Sequence, residues 1–595
     1  MTGQDWQEFP PHVLREYALL ADGERGALCG PRGDIGWLCA PGWDDDAVLS
    51  TLVGGGGVYS VTPADTAVWG GYYEPGSLIW RNRWVTTGAV VECREALAFP
   101  GDPHRVVMLR RIEALDGDVR VRVQLDLRDG YGRRSMRQLR RHDDGRWSAR
   151  TGLLRVRWSG AEAAVTDEHG RLLLELTLRG GEHHDLVLEV ADERLAAPVD
   201  PDAAWTTTEH AWHSAVPRFD ETAAPRDARH SYAVLRGLTT RGGGLIAAAT
   251  LGLPERAEAG RNYDYRYVWL RDQCYAGLAV SVTEPHPLLH DAVAFTTGKV
   301  LEHGDKLAPA YRADGSPLPD ESTLRLPGYP GGSDVVGNRV TGQFQLDSLG
   351  EILQLLASAA RWDQFDDDAR RAAHALIDLI GDRWERPEAG IWELHDAWWT
   401  HSRLACVAGL RSIAGFLPRK QGGAAAGLAD AILAETSRRC LDERGAWQRS
   451  ADLPGVDAAL LLPPVRGALP AADPRTVATL AAVEHELTED GYVYRFAHDD
   501  RPLGDAEGAF LLCGFIMALA HWQQGRTVEA FRWFERNRAA CGPPGLLAEE
   551  YDVRQRQLRG NLPQSFVHAL LLDTAQRLPT RPSEPGDPRQ SSRSS

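Results

Sequence analysis

The hydrophobic period of this 595-residue chain changes once, near residue 228, and that change limits the folds open to it. Before it, apolar and polar residues alternate in "VRVRVQLDL" (119–127), "LRVRWSG" (154–160), "RLLLELTL" (171–178) and "DLVLEV" (185–190). Alternation puts every second side chain on one face, the pattern of a half-buried antiparallel strand. With turn signals such as "LDGD" and "HDDGR" between the strands, residues 1–200 are predicted to form an antiparallel β-sandwich. After the change, apolar residues recur at helical spacing near 229–240, 272–284, 287–303, 346–360, 367–383, 401–415, 423–440, 455–463, 474–487, 507–523, 526–540 and 562–577. Long helices joined by loops of unequal length predict a closed helical toroid over 228–577 rather than a solenoid. Residues 201–227 are read as a linker, and the Pro/Ser-rich 578–595 as a disordered tail.

Composition excludes several functions. A net charge of -17 argues against nucleic acid, which needs a cationic face. The N-terminus lacks a basic segment followed by an apolar run, so no secretion signal is expected. The longest apolar stretch, "GAFLLCGFIMALAHW" (508–522), is too short for a membrane span, and no membrane partner is expected. Eight cysteines without a CxxC spacing suit reduced thiols in the cytoplasm, with neither a disulfide frame nor a zinc site. "GGGG" (54–57) lacks the Lys-Ser/Thr of a phosphate loop, and "HEL" (485–487) lacks a second histidine at helical spacing.

Three stretches gather chemistry. "GRNYDYRYVWLRDQCYAGL" (260–278) brings rings, arginines and carboxylates to the start of a predicted helix. A sugar presents hydroxyls and an apolar C–H face, so it is held by forked donors and acceptors beside aromatic surface. Arg271 and Asp272 supply the first, and Tyr265, Tyr267 and Trp269 the second; the alternative is a structural Arg–Asp pair with rings in the core. In "GIWELHDAWWTHSR" (390–403), Glu393 follows Trp392, and a carboxyl against indole has its charged form disfavoured, as a general acid requires. The alternative is an ordinary surface glutamate. In "GLLAEEYDVRQRQLRGNLPQSFVHALLL" (545–572), Glu549 and Glu550 lie between helices, where a carboxylate activates water or simply ends a helix.

With these stretches in order, the chain resembles glycoside hydrolase family 15, the glucoamylases and their trehalase relatives. The resemblance also rests on "LPGYPGGSDVVGNRVTGQFQLD" (326–347), "YVYRF" (492–496) and "EGAFLLCGF" (507–515). It implies a β-sandwich followed by an (α/α)6 barrel, and inverting hydrolysis at the non-reducing end of an α-glucoside with release of β-glucose. It implies Glu393 as general acid and Glu549 as general base, with Glu550 the alternative base. Arg271, Asp272, Tyr265, Trp269 and Trp392 would hold the terminal glucose, and Arg495 would make another hydroxyl contact. The two carboxyls of an inverting pair stand roughly 6.5–9.5 Å apart to admit a water. No metal or organic cofactor is implied.

The chain departs from the family pattern at "IGWLC" (35–39), where an acidic residue is usual, and at Arg403, where lysine is usual. The segment between "GIWE" and "THS" is also short, which leaves the leaving-sugar side least defined. The substrate expected is a small α-glucoside, either trehalose or a malto- or isomalto-oligosaccharide. Two rival readings are an inverting disaccharide phosphorylase, which needs a phosphate pocket and no base, and a non-catalytic glucoamylase-like protein, which should have lost a catalytic carboxylate. The sequence leaves linkage and oligomeric state open.

Overall fold

The computed structural model describes residues 8–255, 262–498 and 501–580. Its N-terminal part contains two eight-stranded antiparallel sheets. The first runs through Ala18–Ala21, Gly26–Cys29, Asp34–Cys39, Val58–Pro63, Val119–Asp126, Leu172–Leu178 and Val165–Thr166, with Ala47–Leu49 paired to Asp34–Cys39. The second runs through Arg137–Arg141, Trp147–Thr151, Leu154–Ser159, His183–Ala191, Arg105–Asp116, Val90–Leu97, Trp80–Val85 and Val68–Tyr73. Alternation works as expected in Leu154–Ser159, where Leu154, Val156 and Trp158 are buried and the arginines between them are not. Their apolar faces join Tyr59, Trp80, Ile112, Val123 and Leu188 in one core, each fully buried side chain contributing about 1.5–3 kcal/mol.

The segment expected as a linker contains a helix, Pro201–Ala215. Asp200 caps it by accepting from the Ala203 N–H, and Pro201 stands in its first turn. Trp205, Thr208 and Trp212 make a narrow buried stripe, and Trp212 stacks on Phe99 of the sandwich at 4.0 Å. Two large rings hold this helix down where a longer apolar run is absent.

The remaining helices form two concentric rings. The inner ring is Leu270–Ala279, Leu346–Arg361, Thr400–Ala414, the short pair Ala458–Leu461 and Leu462–Val465, Leu511–Gln523 and Ser565–Arg577; each packs on the next and the last returns to the first. All ten residues of Leu270–Ala279 are buried, as expected of a helix enclosed on every side. The outer ring is Pro225–Leu238, Pro287–His303, Asp367–Arg383, Arg419–Arg439, Pro474–Glu486 and Thr527–Arg538. These are one-faced: in Asp367–Arg383 the buried stripe is Ala369, Ala372, Ala373, Leu376 and Ile380. The result is an (α/α)6 barrel. Its fourth inner helix is two short turns because Pro463 and Pro464 remove the donors a longer helix needs. Gly350 lets two inner helices touch, since a Cβ there would lie 2.4 Å from the Ala405 carbonyl oxygen.

Trp37 and Arg266 help to fasten the sandwich to the barrel. Trp37 donates its indole N–H to the Ala249 carbonyl (2.8 Å). Arg266 pairs with Asp264 through two hydrogen bonds (2.9 and 2.8 Å) and donates to the Asp45 carbonyl at 2.9 Å. Among the described residues no helix is long and apolar enough to cross a membrane. The expected tail lies from residue 581 onward outside the described residues, and Leu578 at its start is buried.

Candidate active site

Three inner helices present their N-terminal ends to one cavity open to solvent. Arg271 and Asp272 come from the first turn of Leu270–Ala279, Phe510 immediately precedes Leu511–Gln523, and Gln564 immediately precedes Ser565–Arg577. Helix N-termini carry partial positive charge, which favours the carboxylates gathered there.

Tyr263 and Tyr265 stack at 6.1 Å, and Tyr265 meets Trp269 edge-on at 5.5 Å, which gives the cavity an aromatic wall. Tyr267 is not part of it: its side chain packs in a small cluster with Ala247, Trp269, Ala310 and Val340. Arg271 is buried, and its Nε has no hydrogen-bond partner among the described residues. It donates to the Ile391 carbonyl (3.0 Å) and to Gln345 Oε1 (3.3 Å), and its Nε lies 3.6 Å from Asp272 Oδ2. Burial pushes the Asp272 carboxyl up to about 6, against the pull of Arg271, and Glu393 pushes the same way. Asp272 Oδ2 has no hydrogen-bond partner among the described residues. That oxygen can accept one more hydrogen bond.

Glu393 ends a tight turn in which its N–H bonds the Gly390 carbonyl at 3.1 Å. Its φ is +55°, in the left-handed region that a non-glycine residue enters at a cost of about 1–3 kcal/mol. The turn delivers the carboxyl into the cavity, where Oε1 accepts from the Trp269 indole N–H at 2.6 Å and lies 3.4 Å from Arg271. The indole bonded to Glu393 is therefore that of Trp269. Trp392, expected in that place, also lines the cavity, but it donates to Asp457 Oδ2 (2.8 Å) and packs on Phe510. Consecutive residues at a turn point apart, and adjacency in sequence does not carry over.

Glu549 and Glu550 diverge for the same reason. Glu549 lines the cavity; its Oε1 accepts from the Tyr265 hydroxyl at 3.2 Å and its Oε2 has no hydrogen-bond partner among the described residues. Glu550 begins the strand Glu550–Asp552, is fully buried, and accepts from the Gly508 N–H at 2.8 Å. Burial drives the Glu549 carboxyl well above the usual range, Glu255 adds to this, and Arg495 opposes it. Arg495 sits among acids: it donates to Glu507 Oε1 (3.1 Å) and lies 3.5 Å from Glu255 and 3.6 Å from Glu550. Its guanidinium also covers the Phe510 ring at 4.7 Å.

Other wall residues carry no local signal in the sequence. Asn338 and Gln343 lie within the stretch 326–347, and Gln564 lies in "GNLPQSF", but only folding brings them to the cavity with Glu255. Arg403 turns away from it, held by Glu388 (2.8 Å) and the Trp384 carbonyl (3.0 Å) under Trp398. The departure expected at Arg403 therefore falls outside the cavity wall. Among the described residues there is no cluster of His, Cys, Asp and Glu fit to hold a metal ion.

An open cavity with an aromatic wall, an Arg–Asp pair and separate carboxyl groups, at the mouth of an (α/α)6 barrel, has the make-up of a glycoside hydrolase site. The family model for glycosyl hydrolases family 15 matches residues 230–576, and one for a trehalase-like N-terminal domain matches residues 8–204. The chain belongs to glycosyl hydrolase family 15. It is 28% identical to a trehalase of Mycolicibacterium smegmatis, over 95% of this chain and 91% of that one. It is 32% identical to trehalase 1 of Sulfolobus acidocaldarius, over 58% of this chain and 62% of that one. In structure it is similar to a bacterial glucoamylase solved with acarbose, with a TM-score of 0.69, 14% identity and 97% of each chain covered.

Proposed function

We propose that the chain is an inverting, exo-acting α-glucosidase of the cytoplasm, with trehalose its favoured substrate. The observation that carries this reading is that Glu393 and Glu549 open onto the same cavity as Arg271 and Asp272. Trehalose is favoured because relatives named trehalase match nearly the whole chain.

In this reading Asp272 and Arg271 hold the terminal glucose, and Tyr265 and Trp269 cover its C–H face. Glu393 Oε1 is held by Trp269, so Oε2 carries the proton delivered to the glycosidic oxygen as the bond breaks. Glu549 Oε1 is held by Tyr265, so the free Oε2 takes a proton from a water that attacks the anomeric carbon from the opposite face. The products are β-glucose and the released sugar.

The deciding experiment is hydrolysis of trehalose, maltose, isomaltose, kojibiose and nigerose, with the anomer of the glucose first released followed by NMR. β-Glucose from trehalose is the expected result. α-Glucose would refute inversion, and glucose 1-phosphate formed only with added phosphate would replace hydrolysis by phosphorolysis.

Two further outcomes follow. Asp272→Asn is expected to lower kcat/KM by about 10- to 100-fold, the value of one charged hydrogen bond at about 1.5–3 kcal/mol; steady-state kinetics measure it. The base must be ionised to act, so the acid limb of the rate profile follows the raised Glu549 carboxyl. The charge of Glu255 helps to raise it. Glu255→Gln is therefore expected to move that limb to lower pH, which a kcat/KM profile reads directly.

A further inference from the structure

At one end of the sandwich, arginines stand in a row across three strands. Arg137 is opposite Arg150, and Arg150 is opposite Arg155. Cβ atoms in such positions are about 4.5–5.5 Å apart, and like charges there repel. Their neighbours Arg134, Arg146 and Arg157 are neutralised by Asp129, Asp144 and Glu189, but Arg137, Arg150 and Arg155 form no ion pair among the described residues. An acidic protein thus keeps an uncompensated basic row on one face.

The hairpin carrying Arg150 and Arg155 adds a second, independent observation. It closes through Gly152 and Leu153, with Thr151 paired to Leu154. Two-residue turns of this kind favour Gly, Asn or Asp. Here the tip is Leu153, 86% exposed and the most exposed large apolar side chain among the described residues. Along the same face runs a groove of about 930 Å³ lined by Arg146, Arg150, Arg155, Arg157 and Arg194.

We propose that this hairpin docks the protein on an anionic lipid surface, with Leu153 entering the interfacial layer and Arg137, Arg150 and Arg155 meeting headgroup phosphates. Arginines alone would fit any soluble polyanion, and a lone leucine would hold a membrane feebly. An apolar tip framed by unpaired arginines fits the boundary between phosphate and acyl chain. The contact is peripheral, and it departs from the expectation that the chain has no membrane partner.

The test is co-sedimentation of the full chain with phosphatidylcholine vesicles made with and without phosphatidylglycerol. Binding is expected only with the anionic lipid and should weaken with salt. The double variant Arg150→Gln/Arg155→Gln should weaken it about 25-fold, at about fivefold per arginine near the surface. Leu153→Ser should weaken it about tenfold. Neither variant touches the cavity, so hydrolysis and melting temperature serve as folding controls. If the arginine variant does not fold, the Leu153→Ser and salt measurements decide. No binding, equal binding to both vesicles, or binding indifferent to Leu153→Ser would overturn the proposal; in the last case, displacement by soluble polyphosphate would identify a soluble anion as the ligand.

Discussion

Glu549→Gln is expected to reduce kcat on trehalose by about 10³- to 10⁴-fold, with the affinity for bound sugar little changed. The amide keeps the size of the side chain and can still accept from the Tyr265 hydroxyl, so the wall of the cavity stays in place. What it loses is the ability of the free oxygen to take a proton from water. Glu550→Gln is the matched control. Its carboxyl is tied to the Gly508 N–H and lies outside the cavity wall, and glutamine can make the same bond. That variant is expected to keep kcat within about tenfold of the parent. If the two results came out reversed, the base would be Glu550, and the cavity would have to be reached through a rearranged strand. Single-turnover kinetics with isothermal titration of glucose separates loss of chemistry from loss of binding.

Glu393→Gln should be equally severe on trehalose, but its effect should depend on the leaving group. A sugar alcohol leaves poorly without a proton, whereas fluoride leaves α-glucosyl fluoride without one. The ratio of the two substrates' kcat/KM is therefore expected to shift by about 10²-fold or more in favour of the fluoride. A residue that only shaped the pocket would depress both alike. The same variant keeps an oxygen for the Trp269 indole, so a collapse of the turn is not expected to confuse the result.

Elements with a clean period were legible in the sequence. Outer helices such as Asp367–Arg383 announce themselves by a single apolar stripe and an N-cap, Asp366, that accepts from the Ala369 N–H at 2.8 Å. Strands buried on both faces, such as Asp34–Cys39, offer no alternation to read. The helix Pro201–Ala215 was hidden because its buried stripe is two tryptophans and a threonine among polar residues. At the site, charged residues in distinctive stretches stood out, while side-chain direction did not. Trp392 and Glu393, Glu549 and Glu550, and Tyr265 and Tyr267 each part company through backbone turns or packing that no hydrophobic pattern encodes. Glu255, Asn338, Gln343 and Gln564 belong to the cavity only because the inner ring closes.

The fastening at Arg266 bears on how such a protein can change over time. Tyr265, which steadies Glu549, is flanked by an arginine held from the sandwich through the Asp45 carbonyl. The β half therefore reaches the cavity wall through its own backbone. Exchanging it for a distant cousin's would change what holds Arg266 beside Tyr265, and with it the wall that bears on Glu549.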